Sequence, residues 1–446
     1  MNIDPTLRAL NRFGLGARPG EREGLDPQRW LARQITPAAA TLTGPRLLSS
    51  QAILDNLAAL RAQGQSQESR KAVRQAGREI YQQEMIAALN HAITTQAPFA
   101  ERLVRFWSNH FAISVQGEQM VTFFAGAYER EVIRAHVFGR FEDMVLASAQ
   151  HPAMLIYLDQ TRSIGPNSRA GRNNGRGLNE NYARELLELH TLGVKGGYDQ
   201  DDVRELALIL TGWTVGGLNR GARSAKPLPY AFAERQHEPG ARRLLGQTIP
   251  AGGEDQGRRA ISMLCRHPST ARFVATKLVR HFVDDEPHPL DVDAIAAVFQ
   301  QTGGNLAAVS LALLSLDDAF YGPGRKFRLP QDFMIAAARA LGLRKLDRAA
   351  VRAARDMRHI PWSPSSPAGF SDRMVDWADP DSLLRRADLA KAIAKQTKAS
   401  APAVQTLLRD TIQPSNPEAL TQLLRRQPDA ETQLAMLLAS PDFQWR

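Results

Sequence analysis

Apolar positions recur at three- and four-residue intervals along most of the chain, the spacing of amphipathic helices. Between 66 and 95, Ile80, Met85, Ile86 and Leu89 punctuate a run of Arg, Glu, Gln and Ala, which predicts one long helix. Residues 99–113 and 118–137 read as two more, rich in aromatics. Asp199, with Asp202 three residues on, makes a capping-box start for a helix carrying Val203, Leu206, Ile209 and Leu210 and stopped at Gly212. Pro268 after His267 suits the first position of a helix reaching about Phe282. Further helices are expected at 254–266, 290–301, 305–315, 330–342, 380–397, 402–411, 416–425 and 429–439.

Three stretches break the periodicity. Residues 160–178 are rich in Gly and Asn and read as a loop. Residues 215–253 are rich in Gly, Pro and Arg, with β-like pieces at 230–232 and 243–246. Residues 359–380 carry Pro361, Pro364, Pro367 and Pro380 among Trp362, Phe370 and Trp377, an irregular connection. The expected fold is therefore all-α: a multi-helix globular body over 1–324 with a small β-hairpin insertion at 215–253, then a C-terminal helical unit over 325–446. A short echo, Leu314–Phe320 against Leu438–Phe443, predicts two helix ends that each fold an aromatic back.

Composition narrows the class. Apolar residues are 43% and charged residues 23% of 446, an ordinary globular mix that can bury a large core. The single cysteine, Cys265, excludes an intramolecular disulfide framework and reads as a small buried hydrophobe. No run approaches the ~18 apolar residues of a membrane span. No apolar signal-like stretch follows the opening residues, so the expected location is cytoplasmic, with periplasmic co-export beside a partner as the alternative. The formal charge of +10 favours anionic partners, but Lys and Arg alternate with Asp and Glu and no helix-turn-helix or basic-aromatic platform is evident; nucleic-acid binding is not expected.

The most informative run is 179–193, Asn-Glu-Asn-Tyr-Ala-Arg-Glu-Leu-Leu-Glu-Leu-His-Thr-Leu-Gly. Asn179 suits an N-cap and Gly193 a stop. At about 100° per residue, Asn181, Arg184, Glu185 and Glu188 share one face, with His190 on the opposite, apolar arc. That polar face is either solvent surface laced by the pairs Glu180–Arg184 and Arg184–Glu188, or a carboxylate pair suited to acid–base work. His110 shares a helical face with Leu103, Phe106 and Trp107, beside Asn109; like His190, it is either a core histidine or a functional one. Arg162, Arg169, Arg172 and Arg176 occupy a loop without acidic residues, an arrangement suited to seating an anion ahead of a helix start. His237 ends a lone Glu-x-x-His in an irregular segment, which is no di-metal motif, and no metal site is expected.

Several of these blocks carry a resemblance. Leu10-Asn11-Arg12-Phe13-Gly14-Leu15-Gly16, Phe106 to Phe111, the 179–193 run, Leu210-Thr211-Gly212-Trp213, and Phe232 with His237, Gly240 and Leu245-Gly246 resemble successive motifs of the bacterial domain of unknown function 1800 family. Arg325-Lys326-Phe327-Arg328, Pro364 to Trp377 and Ser440-Pro441-Asp442-Phe443 complete the order. The resemblance implies a mostly helical fold and no established activity, so it carries over no catalytic residues. It also implies a neighbour, because members are often encoded beside proteins of the domain of unknown function 1501 family, which look like exported alkaline-phosphatase relatives.

The leading expectation is a polar pocket with His110, Glu185, Glu188 and His190 as catalytic residues. Asn109, Asn181, Arg184, Arg172, Arg176 and His237 are its ligand-binding candidates. It would act on an anionic small molecule or saccharide by hydrolysis or lysis, and the sequence names no cofactor. The alternative is a non-catalytic partner or escort of a protein of the domain of unknown function 1501 family.

Overall fold

The helical periodicity is realised along almost the whole chain. A computed structural model describes residues 4–62, 66–174, 177–216, 229–322, 326–346, 348–397 and 400–446, so Arg176 and Arg325 lie outside the described residues. The fold is all-α with a small β insertion. Its longest helix, Gln67–Thr94, starts where Ser66 accepts the Ser69 N–H, and Thr95 leaves helical geometry at its end. The Gln200–Leu210 helix has the expected reciprocal cap, Asp202 N–H to Asp199 at 2.9 Å and Asp199 N–H to Asp202 at 3.2 Å. Pro98–His110, Glu254–Arg266, Pro268–Phe282, Pro289–Gln301, Pro330–Ala340 and Pro380–Thr397 follow the expected spans, most of them opened by proline at a position where the missing N–H costs nothing.

The β pieces are two antiparallel pairs. Trp213–Thr214 pairs with Ala231–Phe232, and Arg242–Leu244 forms a hairpin with Gln247–Ile249. Leu245 and Gly246 turn that hairpin with φ of 48° and 74°, the left-handed conformation a two-residue turn requires. Asp202 accepts the Leu245 N–H at 2.7 Å, so the helix cap also docks the hairpin. The two echoed segments, Asp317–Phe320 and Pro441–Gln444, are both single-turn helices with a buried aromatic, Phe320 and Phe443.

One apolar cluster runs from Ala9 to Phe443 and includes Phe99, Trp107, Phe141, Phe282, Phe333 and Leu434. Buried arginines tie its far-apart segments together. Arg102 donates to the Gly14 carbonyl at 2.6 Å and Arg339 to the Gly16 carbonyl at 2.8 Å. Arg328 donates to Asn11 Oδ1 at 2.6 Å and to the Phe443 carbonyl, while Arg386 donates to the Arg328 carbonyl at 2.8 Å and to Gln444 Oε1 at 3.0 Å. Gly16 is required here: its φ is +111°, and a Cβ would stand 2.7 Å from Ala336 Cβ.

Replacing Arg328 by alanine strips the Phe443 carbonyl of its guanidinium donor and leaves Asn11 Oδ1 with only the Ala17 N–H at 3.2 Å. At about 1.5–3 kcal/mol for each hydrogen bond to a charged group, Arg328→Ala is expected to lower unfolding stability by at least about 2 kcal/mol in urea denaturation. Arg258→Ala, which removes the exposed partner of Glu254, should cost less than about 1 kcal/mol. Equal effects would show that the buried guanidinium does not hold these segments.

Candidate functional site

The 179–193 run departs from a regular helix. Asn179 accepts the Asn181 N–H at 2.9 Å, but the cap residue is Glu180, without a side-chain cap; only Asn181–Glu185 is α-helical and Leu186–His190 continues as a π-turn. The wider π-turn shifts every side chain after Glu185 from its place on a 100° wheel. His190 is buried, and Glu185 and Glu188 stay partly exposed on the outer side. Arg184 pairs with Glu188 at 3.4 Å and with Glu180 at 3.8 Å, pairs worth little in water. Burial and then the neighbouring Glu188 raise the Glu185 carboxyl above its usual range.

His110 and His190 do meet, with ring centroids 6.5 Å apart, inside a nest of Trp107, Phe111, Phe141 and Phe273. His110 Nε2 donates to the His190 carbonyl at 3.1 Å, which leaves its buried Nδ1 without a partner. Burial pushes His110 well below the imidazole range, and takes His190 down to about 3, helped by Lys277. Asn181 and Arg172 are exposed, and His237 gives its Nδ1 proton to the Thr211 carbonyl at 2.9 Å. In the loop ahead of Asn179, Asn167 and not an arginine meets the buried Glu238, donating its backbone and side-chain amides at 2.8 and 2.7 Å, while Arg162 pairs with Asp159 at 2.9 Å.

Of the expected residues, only Asn109 lines a cavity of about 70 Å³ between the Pro98–His110 helix, the start of the Pro330–Ala340 helix and the proline-rich strap after His359. Asn109 grips the strap, donating to the Phe370 carbonyl at 2.8 Å and accepting the Phe370 N–H at 2.7 Å. The other walls are chemical. His281, near the end of the Pro268–Phe282 helix, donates Nδ1–H to Asp372 of the strap at 2.6 Å, and its buried Nε2 has no partner. Burial depresses His281 to about 4, against the pull of Asp372. Burial also opposes ionisation of Asp372, but His281 and Lys326 hold its carboxyl below the usual range.

Arg102 and Arg105 face the same space. Arg102 binds Asp332 at 3.0 Å and Arg105 at 3.6 Å, while Arg446 approaches it to 3.8 Å. Burial would raise the Asp332 carboxyl, yet Arg102, Arg446 and Arg105 hold it well below its range. His359 completes the wall, packed on Phe370 and Trp377 and depressed to about 3 by burial and then by Arg105.

A second cluster, Ser50, His151 and Glu131, has the right residue types for a nucleophile but the wrong proton. His151 Nδ1 accepts the Ala153 N–H at 3.1 Å, so the neutral ring carries its proton on Nε2, the atom 2.9 Å from Ser50 Oγ. Ser50 gives its own proton to Glu131 at 2.7 Å. This is a buried helix anchor without a free base. Among the described residues no group of three His, Cys, Asp or Glu is placed to hold a metal ion.

A model of the family described as protein of unknown function (DUF1800) matches residues 8–445. The chain belongs to that family. No curated protein and no solved structure matches it. Among the described residues of this DUF1800 chain, no helix is long and apolar enough to cross a membrane.

Sequence reasoning passed over His281, His359, Asp372, Arg102, Arg105 and Asp332. A usable signal existed for His281, which follows Val274 and Leu278 on an apolar helical face as His110 follows Phe106. His359 and Asp372 lie in or beside the strap block, where no periodicity marks which side chain turns inward.

Histidines held neutral by burial, His190, His281 and His359 among them, shape the acid response. His190, His281 and His359 bind a proton at about 3, 4 and 3 in the folded protein but near 6.5 when unfolded. The unfolded chain therefore binds more protons below about pH 6.5, and stability is full above that value and falls as pH drops toward 4. Each histidine adds a slope of up to about 1.4 kcal/mol per pH unit. Thermal unfolding should shift steeply downward between pH 6.5 and 4.5, and His359→Gln should flatten that slope; a flat profile across the window would contradict the neutral assignment.

Proposed function

We propose that this chain binds a small anionic molecule in the arginine-walled cavity and acts on it as a hydrolase or lyase, with His281 as general base. The His281–Asp372 pair carries the reading. A carboxylate that takes Nδ1–H fixes the tautomer, so Nε2 presents its lone pair, as in the base–orienter half of a catalytic triad. The low proton affinity keeps His281 in the base form at neutral pH. It also costs basicity, part of which Asp372 restores as the ring becomes cationic. In hydrolysis, Nε2 takes a proton from water as the water oxygen bonds to the ester's acyl or phosphoryl centre, and the ester oxygen leaves and takes that proton from the ring; in lysis, it takes a proton from carbon beside the anionic group, and the electron pair left behind forms a C=C bond as the β-oxygen substituent departs with the proton. Arg105 and Arg102 supply the positive wall for a developing or resident negative charge. At about 70 Å³ the cavity suits a head group of a few atoms, so a saccharide would enter only by a small charged end.

The test is turnover of a panel of small phosphorylated and carboxylated esters by the purified protein. His281→Gln, with circular dichroism unchanged, should lose at least about 100-fold, the lower range for a positioned base. Asp372→Asn should lose activity and move the His281 proton, read by ¹⁵N-detected imidazole spectra. Turnover undiminished in His281→Gln, or a wild-type ring protonated only at Nε2, would sink the assignment.

A second reading, docking of a partner protein, draws on Met374, Val375, Leu383 and Leu384, apolar side chains left exposed close together in sequence just after Asp372. A neighbour of the domain of unknown function 1501 family is the partner to co-express and pull down.

A further inference from the structure

We propose that the cavity contains an oxyanion seat, formed by Arg105 and the Nε2–H of His359, that takes the phosphoryl or carboxylate head of the substrate. The inference rests on the reading above and adds where the ligand's charge sits. Charge is the first support. Three guanidiniums, of Arg102, Arg105 and Arg446, surround the single carboxylate of Asp332. Beyond them, buried Arg386 keeps Nε and Nη2 without a hydrogen-bond partner. Glu129 and Asp372 also line the cavity, but Glu129 is held by Arg134 and Asp372 by His281 and Lys326, so the positive surplus is local to the Arg102–Arg105 side, where an entering anion feels it.

Accessibility selects Arg105. Its side chain is 19% exposed, against 2% for Arg102 and 0% for Arg446. Its hold on Asp332 is looser than that of Arg102, and its Nη2 otherwise donates to Gln331 Oε1 at 3.0 Å, a neutral acceptor. An incoming oxyanion can recruit this guanidinium without breaking a tight ion pair, and a guanidinium presents two parallel N–H groups to two oxygens.

The tautomer selects His359. The Gln331 backbone N–H points at His359 Nδ1 at 3.3 Å, so Nδ1 is an acceptor and the neutral ring carries its proton on Nε2. Phe370 and Trp377, with ring centroids 4.3 and 5.1 Å away, fix the ring plane. The cavity lining thus includes two neutral histidines of opposite sense: His281 keeps a lone pair on its buried Nε2, and His359 carries its proton on Nε2. A donor and a cation on one side, with a base elsewhere in the wall, let the seat hold the charged head while the base works on the group beside it.

Isothermal titration with inorganic phosphate and, separately, with acetate at low ionic strength tests the seat without any turnover. Saturable binding of either to the wild type is expected, with the His359 Nε2–H resonance moving on titration. Phosphate alone would identify a phosphoryl head, acetate alone a carboxylate, and both an unselective oxyanion seat. Affinity should fall at least about tenfold in Arg105→Gln and in His359→Gln, the loss of one charge-assisted hydrogen bond. It should survive in His281→Gln, so the seat and the base fail separately. No saturable binding of either ion to the wild type, or affinity unchanged in both Arg105→Gln and His359→Gln, would overturn the proposal.

Discussion

Everything around the cavity is registered by one buried carboxylate, Asp332. Arg102 and Arg105 reach it from the Pro98–His110 helix and Arg446 from the far end of the described chain. Burying four ions is expensive, and their mutual attraction returns little net stability over an apolar packing of the same shape. What the cluster provides is register. Sliding either helix by one residue would strand charges in the core, at several kcal/mol for each ion. The walls of the cavity are therefore set by the same contacts that align the two helices, and Gln331, next to Asp332, is carried into place between Arg105 and His359.

The strap depends on that frame in turn. It has no helix or sheet of its own through 361–372, so its backbone groups are satisfied by the body: Ser114 donates to the Pro364 carbonyl at 2.7 Å, Gln116 to the Ser363 carbonyl at 2.8 Å, and Val115 N–H to the Trp362 carbonyl at 2.9 Å. Trp362 Nε1 donates to Glu129, which Arg134 holds. At the Asn109 grip the approach is so close that a Cβ on Gly369 would stand 2.5 Å from the Asn109 carbonyl oxygen. Asp372 arrives at His281 because these bonds leave the strap little freedom, and buried Lys326 fastens the Asp372 carbonyl at 2.8 Å while pairing with Asp285.

Local physics made the helices legible. The capping box at Asp199, the proline starts and the 3.6-residue periodicity are encoded within a few residues, and each appears where expected. The hairpin was legible only in part: the β-like piece expected over 243–246 divides into a strand ending at Leu244 and the turn Leu245-Gly246. The site was much less so. A wheel drawn at fixed angle could not anticipate the π-turn at Leu186–His190. His110 stood out as an inward residue and is buried, but Asn109, expected to bind a ligand, grips backbone that lies 261 positions away. The His281–Asp372 pair spans 91 positions, and the Arg102–Asp332 pair 230. Such pairings leave no periodic trace in one sequence.

The surplus of basic residues changes meaning once the fold is known. A net charge of +10 suggests a surface that attracts anions. Several of the arginines are instead interior: Arg12, Arg102, Arg328, Arg339 and Arg386 are among the largest fully buried side chains. They reach backbone carbonyls and side-chain oxygens on segments hundreds of positions apart, a task suited to a fork of five donors and poorly served by a lysine ammonium. The Leu10–Gly16, Lys326–Arg328 and Ser440–Phe443 blocks contribute to this stapling, either as donors or as the acceptors they grip. Their presence in the sequence thus reports on architecture before chemistry. The two are linked all the same. Stapling a fold with guanidiniums brings charge into its interior, and Arg102, which grips the Gly14 carbonyl, also lines the cavity beside Arg105 and Asp332, so the bonds that close the fold shape the wall as well.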